Sequence, residues 1–248
     1  MDTVGAAEPG VIEYPTSDGK PMAETDLHRR LLIEVNAVLA GYFAARPDVY
    51  VSGNLVILYE EGNPGRHLSP DCFAVFGVRP GDRDSYKVWE EGKYPDIVFE
   101  LTSRKTRKED GEGKMATYRD VWKVSEYILF DPREEYLKPS FQGYRRTPAG
   151  DFAPIPLVGG QMTSEVLGLK MEREGVRLVF RDPGTGRVLL PPAEEQSRRD
   201  RLDRELADAK LAVMADEMVS AVEREQVARA EIEELRRRLA ALSTPPGN

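Results

Sequence analysis

Apolar positions recur along this chain with several different spacings, and each spacing predicts a different kind of element. Between Ala23 and Ala45, Leu27, Leu31, Leu32, Val35, Val38, Leu39 and Phe43 fall at three- and four-residue steps. That spacing predicts an amphipathic helix, with Thr25 placed to cap it. "VYVSGNLVILYE" predicts one or two strands around Ser52-Gly53-Asn54, and "RHLSPDCFAVFGV" predicts another extended run opened by Pro70. "DRDSYKVWEEGKY" keeps no period and reads as a loop. "DIVFELTS" is almost continuously apolar, the pattern of a central strand buried on both faces.

From about Glu112, "EGKMATYRDVWKV" returns to helical spacing, with Met115, Tyr118 and Trp122 on one face. "SEYILFDP" is a further buried strand, stopped by Pro132. Strand, helix and strand in succession predict an α/β core built on a mixed sheet. "GYRRTPAGDFAPIPL" and "VRLVFRDPGTGRVLL" predict peripheral hairpins, the second turning at Asp182-Pro183-Gly184 and Gly186.

The pattern changes again after Pro191-Pro192, because Ala193 to Leu242 contains neither Gly nor Pro. Leu211, Met214, Met218, Ala221, Glu225, Ala228, Ile232, Leu235, Leu239 and Leu242 alternate by three and four residues. This is a heptad seam with one polar break, at Glu225. Such a helix would run roughly 70 Å at about 1.5 Å per residue. It predicts a homodimer joined through the C-terminal helix; the alternative is a helix folded back on its own body or frayed in solvent. The expected organisation is a flexible lead-in over residues 1–22, a globular domain over 23–190, a coiled-coil-like helix over 193–242 and a tail over 243–248.

Composition narrows the setting. The chain has 248 residues, enough for one sizeable domain with an appendage. Its single cysteine, Cys72, excludes an internal disulfide framework and fits a reducing compartment. There is no long apolar run for a membrane span and no apolar signal-peptide core, so the expected location is the cytoplasm. A net charge of −8 argues against a broad nucleic-acid-binding coat but leaves room for a local basic site.

Three acids in the apolar runs carry the candidate chemistry: Asp71, Asp96 and Glu100. A buried carboxylate is costly unless it is paired or holds a metal ion. In a regular strand Asp96, Val98 and Glu100 share one face, and a neighbouring strand would set Asp71 beside Glu100. Two such acids suit Mg²⁺, which takes one or two carboxylates and keeps several waters. A lysine close by would orient a water or offset phosphate charge. The simplest arrangement would place it at position 102, which is Thr102; Lys114, bordering the Met115–Tyr118 stripe, is the better candidate.

Each of these residues also has a structural reading. Glu100 could pair with Lys114 or Arg104, Asp71 could cap a turn after Pro70, and Asp96 could open a strand. Glu24 is either an acid close to the site or a charge favouring the first helix dipole. The run containing Arg104, Lys105, Arg107 and Lys108 is either a solvated loop or a phosphate-contacting one. His28 and His67 have no partners at zinc spacing.

Taken together, "SPDCFAVFGV", "PDIVFELTS", "EDGEGKMATYRDVWKVSEYILFDP" and "FQGY" resemble the Uma-type restriction endonucleases, a bacterial branch of the PD-(D/E)XK nuclease superfamily. The resemblance covers about Ala23 to Leu190. It implies a restriction-endonuclease-like fold, a mixed β-sheet flanked by helices, and Mg²⁺-dependent hydrolysis of DNA phosphodiesters, with Mn²⁺ as a substitute. By position it makes Asp71 the first acid and Glu100 the second, both metal ligands. Lys114 becomes a lysine displaced from strand to helix. The family's usual Ser-Pro-Ser-Thr loop is here Ser103-Arg104-Lys105-Thr106, which is more basic. The displaced lysine and the acidic net charge favour a second possibility: an inactive nuclease-fold module that binds or assembles.

Overall fold

The strands form three sheets in the computed structural model, which describes residues 12–17, 25–102 and 113–242. In chain order the elements begin with α1 (Asp26–Tyr42), β1 (Val49–Ser52), β2 (Ile57–Leu58), β3 (His67–Leu68), β4 (Cys72–Phe76), β5 (Tyr86–Lys87) and the short helix α2 (Val88–Glu91). β6 (Ile97–Leu101), a π-helical turn (Thr117–Val121) and β7 (Glu126–Phe130) follow. Then come β8 (Phe141–Arg146), β9 (Phe152–Pro154), β10 (Gln161–Ser164), β11 (Leu169–Glu174), β12 (Arg177–Arg181) and α3 (Pro192–Leu242).

The largest sheet has six strands in the order β1-β4-β6-β7-β8-β9. All its neighbours are antiparallel except β6 and β7, which run parallel from Ile97↔Glu126 to Leu101↔Phe130. A parallel pair needs a long crossover. The chain between Leu101 and Glu126 supplies it and includes the π-helical turn. This is the mixed-sheet α/β architecture expected from the sequence.

Alternation along the central strands sends their side chains to two cores. Ile97, Phe99 and Leu101 of β6 pack with Cys72 and Ala74 of β4 and with Leu31, Val35, Val38 and Leu39 of α1. Met162, Met171, Leu178 and Phe180 complete that side from the small sheet β10-β11-β12. On the opposite face Phe73, Val75, Val98, Tyr127 and Leu129 pack with Ile57 and Tyr86 of the sheet β3-β2-β5 and with Tyr118 and Trp122 of the crossover. β6 is therefore covered on both faces, as its continuous apolar sequence predicts.

The first helix starts as expected, since the Thr25 side chain accepts a hydrogen bond from the His28 N–H. The two hairpin segments find places in sheets. Phe141–Arg146 and Phe152–Pro154 form the β8-β9 edge of the large sheet, and Arg177–Arg181 is the outer strand of the β10-β11-β12 sheet. One expectation fails. "DRDSYKVWEEGKY" is not a loop throughout, because it contains β5 and α2. Tyr86 and Val88 are buried there, and Gly92 closes the helical turn at φ 73°. Two strand residues and four helical ones are too few to show a period.

After Pro192 the chain forms a second compact unit, Ala193–Asn248, dominated by the 51-residue α3. No helix among the described residues is long and apolar enough to cross a membrane.

Close packing fixes the start of β4. A Cβ on Gly53 would stand 2.1 Å from the Asp71 carbonyl oxygen and 2.3 Å from Asn36 Nδ2. Neither backbone nor the helix can yield that much, so position 53 must be glycine. Gly53→Ala is expected to destabilise the domain by about 1–3 kcal/mol, the usual cost of overpacking. Urea unfolding of the two proteins measures this, and an unchanged midpoint would refute the tight approach.

Candidate active site

Asp71 and Glu100 come together because their strands pair. The β4–β6 ladder ends at Cys72↔Phe99, and the register continued by one residue sets Asp71 opposite Glu100. A direct contact fixes the same neighbourhood: the Leu101 N–H donates to Asp71 Oδ2 at 2.7 Å. The carboxylate thus takes over a backbone donor at the end of the ladder.

Asp71 is held from two further directions. Asn36 of α1 donates from Nδ2 to the Asp71 carbonyl at 3.2 Å, while the Asn54 N–H donates to the preceding carbonyl, of Pro70, at 2.8 Å. His28 Nε2 lies 3.6 Å from Asp71 Oδ1. The helix stripe gives no hint of this, because His28 is 43 residues away in sequence and is not part of the apolar period. His28 is one site residue without a sequence signal, and Tyr118, which in sequence is only part of an apolar face, is another.

Glu100 is 1% exposed in the middle of the sheet. Both of its oxygens are engaged. Lys114 Nζ donates to Oε2 at 2.9 Å, and the Tyr118 hydroxyl donates to Oε1 at 2.6 Å. Lys114 and Tyr118 are four residues apart on the crossover, the spacing that puts two side chains on one helical face. The Lys114 side chain is itself only 11% exposed, so this is a buried ion pair.

Two neighbours complete the surroundings. Thr102 is buried, and its hydroxyl has no hydrogen-bond partner among the described residues. Strand alternation puts it on the Glu100 side of the strand, where a third oxygen can face a ligand or water. Cys72 is fully buried in the opposite core. Burial, then the adjacent Asp71 charge, pushes its thiol far above the ordinary range, so it is not a nucleophile.

Asp96 is not gathered with these residues. It lies just before the other end of β6, about 13 Å from Glu100 at roughly 3.3 Å per strand residue. There it accepts from the Phe76 N–H at 2.7 Å and pairs with Lys93 at 2.9 Å. Glu24, Arg104, Lys105, Arg107 and Lys108 lie outside the described residues.

The residues described fit a hard divalent cation of the Mg²⁺ class. Asp71 and Glu100 offer two carboxylates from adjacent strands, and Thr102 has an unused buried hydroxyl. Among the described residues no group of three or more His, Cys, Asp or Glu side chains gathers as a closed metal site. Two protein carboxylates with the remaining positions left to water is the pattern Mg²⁺ accepts and structural zinc does not.

A mixed sheet that sets Asp71, just before β4, opposite Glu100 of β6, itself paired with a buried lysine, defines the class, a restriction-endonuclease-like nuclease fold. The pattern of the Uma2 family, described as putative restriction endonucleases, matches residues 8–174, and the chain belongs to that family. Among solved structures, it is similar to a crystal structure of a putative nuclease belonging to DUF820 from Anabaena variabilis ATCC 29413. That similarity has 15% identity and a TM-score of 0.40, and covers 56% of this chain and 74% of the other. Comparison with curated proteins gave no match.

The buried pair predicts an asymmetry between its partners. Lys114→Met removes the lysine of an ion pair whose carboxylate is 1% exposed, and is expected to cost about 3–5 kcal/mol. Tyr118→Phe removes one hydrogen bond to a charged group, for about 1.5–3 kcal/mol. Denaturant unfolding of both variants checks the order; equal and negligible losses would mean that Glu100 is solvated or protonated.

Proposed function

We propose that this protein is a Mg²⁺-dependent endonuclease that hydrolyses DNA phosphodiester bonds, with the ion held by Asp71 and Glu100 and with Mn²⁺ as a substitute. The observation that carries the reading is Glu100, buried in the central sheet and hydrogen-bonded to Lys114 and Tyr118. A buried ion pair is a poor way to gain stability, because apolar residues of similar size often do as well or better. Its presence in a nuclease-family chain, opposite Asp71 in the continued register, is accounted for by chemistry on phosphate.

The bound ion would lower the pKa of a coordinated water and neutralise charge on a phosphate oxygen. The chain's own groups position and compensate. The Leu101 N–H fixes Asp71 Oδ2, and His28 Nε2 stands 3.6 Å from Oδ1. The Tyr118 hydroxyl fixes the Glu100 carboxylate, and Lys114 holds a positive charge 2.9 Å from it. When a phosphate enters beside Glu100, the Lys114 ammonium can share its donors with a phosphate oxygen and with the attacking water. Thr102 offers its hydroxyl on the same side. The basic run with Arg104 and Lys105 follows directly in sequence and supplies cations for the DNA backbone.

One observation favours a second reading, a non-catalytic module. Lys114 and Tyr118 already occupy one lone pair on each Glu100 oxygen, as a purely structural acid would require. Metal binding separates the two. Under the nuclease reading Mg²⁺ or Mn²⁺ raises the melting temperature and Asp71→Asn removes the rise, whereas an inert module shows none.

Plasmid nicking is the functional test, with Mg²⁺, with Mn²⁺ and with EDTA. Glu100→Gln keeps the shape of the side chain and is expected to lower cleavage more than about 100-fold, beyond the usual loss for groups that only support a ligand. Cleavage that persists in EDTA, or at the wild-type rate in Glu100→Gln, would remove the metal or Glu100 from the mechanism.

A further inference from the structure

The seam of α3 is exposed. Leu211 is 64%, Met218 69% and Leu239 68% accessible, and Met214, Ile232 and Leu235 are also exposed. These residues extend over more than four heptads, enough to specify a coiled coil. We propose that α3 pairs with α3 of a second copy of this chain, and that the two helices run antiparallel. The inference is independent of the nuclease reading.

Direction follows from packing and charge along the seam. In a parallel, in-register pair each seam residue meets its own counterpart. Glu225 would face Glu225, flanked by layers of Ala221 on Ala221 and Ala228 on Ala228. Two carboxylates would share the middle of the interface, between layers too small to fill it. Antiparallel packing centred between Gln226 and Val227 changes every layer. Met214 meets Leu239, Met218 meets Leu235, Ala221 meets Ile232, and Glu225 meets Ala228. Large residues then oppose small ones across the weak layers, and no carboxylate faces another. Glu225 keeps its bond from Arg229 of the same helix, at 2.7 Å, at the edge of the seam.

The flanking charges choose the same direction. Glu217, Arg224, Glu231 and Arg238 precede every second seam position, Met218, Glu225, Ile232 and Leu239. Antiparallel helices bring this row against itself, Glu217 to Arg238 and Arg224 to Glu231, so all four are matched with opposite charges. Parallel helices would instead bring Arg224 against Arg229 and Glu217 against Val222, leaving one attractive contact, Glu231 with Arg236. The antiparallel pair would set the two Pro192 ends about 100 Å apart, at 1.5 Å rise per residue.

Cysteine cross-linking of the full-length chain tests the orientation. Met214→Cys and Leu239→Cys both change exposed residues, and native Cys72 is buried, so wild type is the unlinked control. The two variants are mixed, allowed to exchange and mildly oxidised. The expected result is a mixed disulfide between them, with neither linking to itself. Self-linked Met214→Cys would establish the parallel pair, and a monomer by sedimentation with no link would remove the pairing; either overturns the proposal. Arg224→Glu gives a second reading of opposite sign for the two models. It should weaken the antiparallel dimer about tenfold, with two attractive pairs made repulsive, and Glu231→Arg in the same chain should restore it. Arg224→Glu would tighten a parallel dimer by removing its repulsion with Arg229.

Discussion

The Glu100 carboxylate lies where the protein is least able to solvate it, and the middle of the domain is arranged to compensate that charge. β6 is covered on both faces, and Glu100 is left 1% exposed. Its partners come from the segment that the topology cannot avoid. Because β6 and β7 are parallel, the chain must cross over between them. That crossover sends Tyr118 and Trp122 into one core and presents Lys114 and Tyr118 to Glu100 from one face. The same few residues therefore cover the sheet and neutralise its charge. Removing the lysine affects more than a local contact, because a buried acid that loses its ion-pair partner is strongly destabilising.

Asp71 is held by a different kind of force. Its position depends on close approach and backbone hydrogen bonding: Gly53 against its carbonyl, Asn36 reaching it from α1, and the Leu101 N–H on its carboxylate. One acid is thus fixed by shape and the other by charge. The two come into register because β4 and β6 pair up to Cys72↔Phe99. A change in packing at Gly53 displaces the first acid while leaving the Glu100–Lys114 pair its own support. A change at Lys114 does the reverse.

Much of this was legible in the sequence because period reports burial. The stripe of α1 and the apolar runs of β4, β6 and β7 gave the core elements and their faces, and with them the places of Asp71 just before β4 and of Glu100 within β6. Lys114 was legible because it borders the Met115–Tyr118 stripe. What escaped was either short or remote. β3 and β5 have two residues each, and two positions cannot display an alternation. β10 and β11 bury only Met162 and Ser164, and Leu169 and Met171, among polar neighbours, so their pattern is faint. His28 meets Asp71 only through the packing of α1 on the sheet, which no local period records. Asp96 shows the converse error that alternation invites. Sharing a strand face with Glu100 says nothing about separation along the strand, and its own partners are Phe76 and Lys93.

The long helix obeys another rule again. Its ion pairs, Glu225 with Arg229, Glu233 with Arg237 and Glu234 with Arg238, join residues four apart and support the helix as an isolated object. They do not require the apolar seam, and the seam contributes nothing to a lone helix in water. The two features therefore answer separate demands, one to stay helical and one to associate. Glu225 belongs to both, as a partner of Arg229 and as the only charge among the seam positions. A polar residue at such a position weakens association but restricts the alignments that remain acceptable. Here the acceptable alignment is the one that gives Glu225 a small neighbour, Ala228, in place of a second carboxylate.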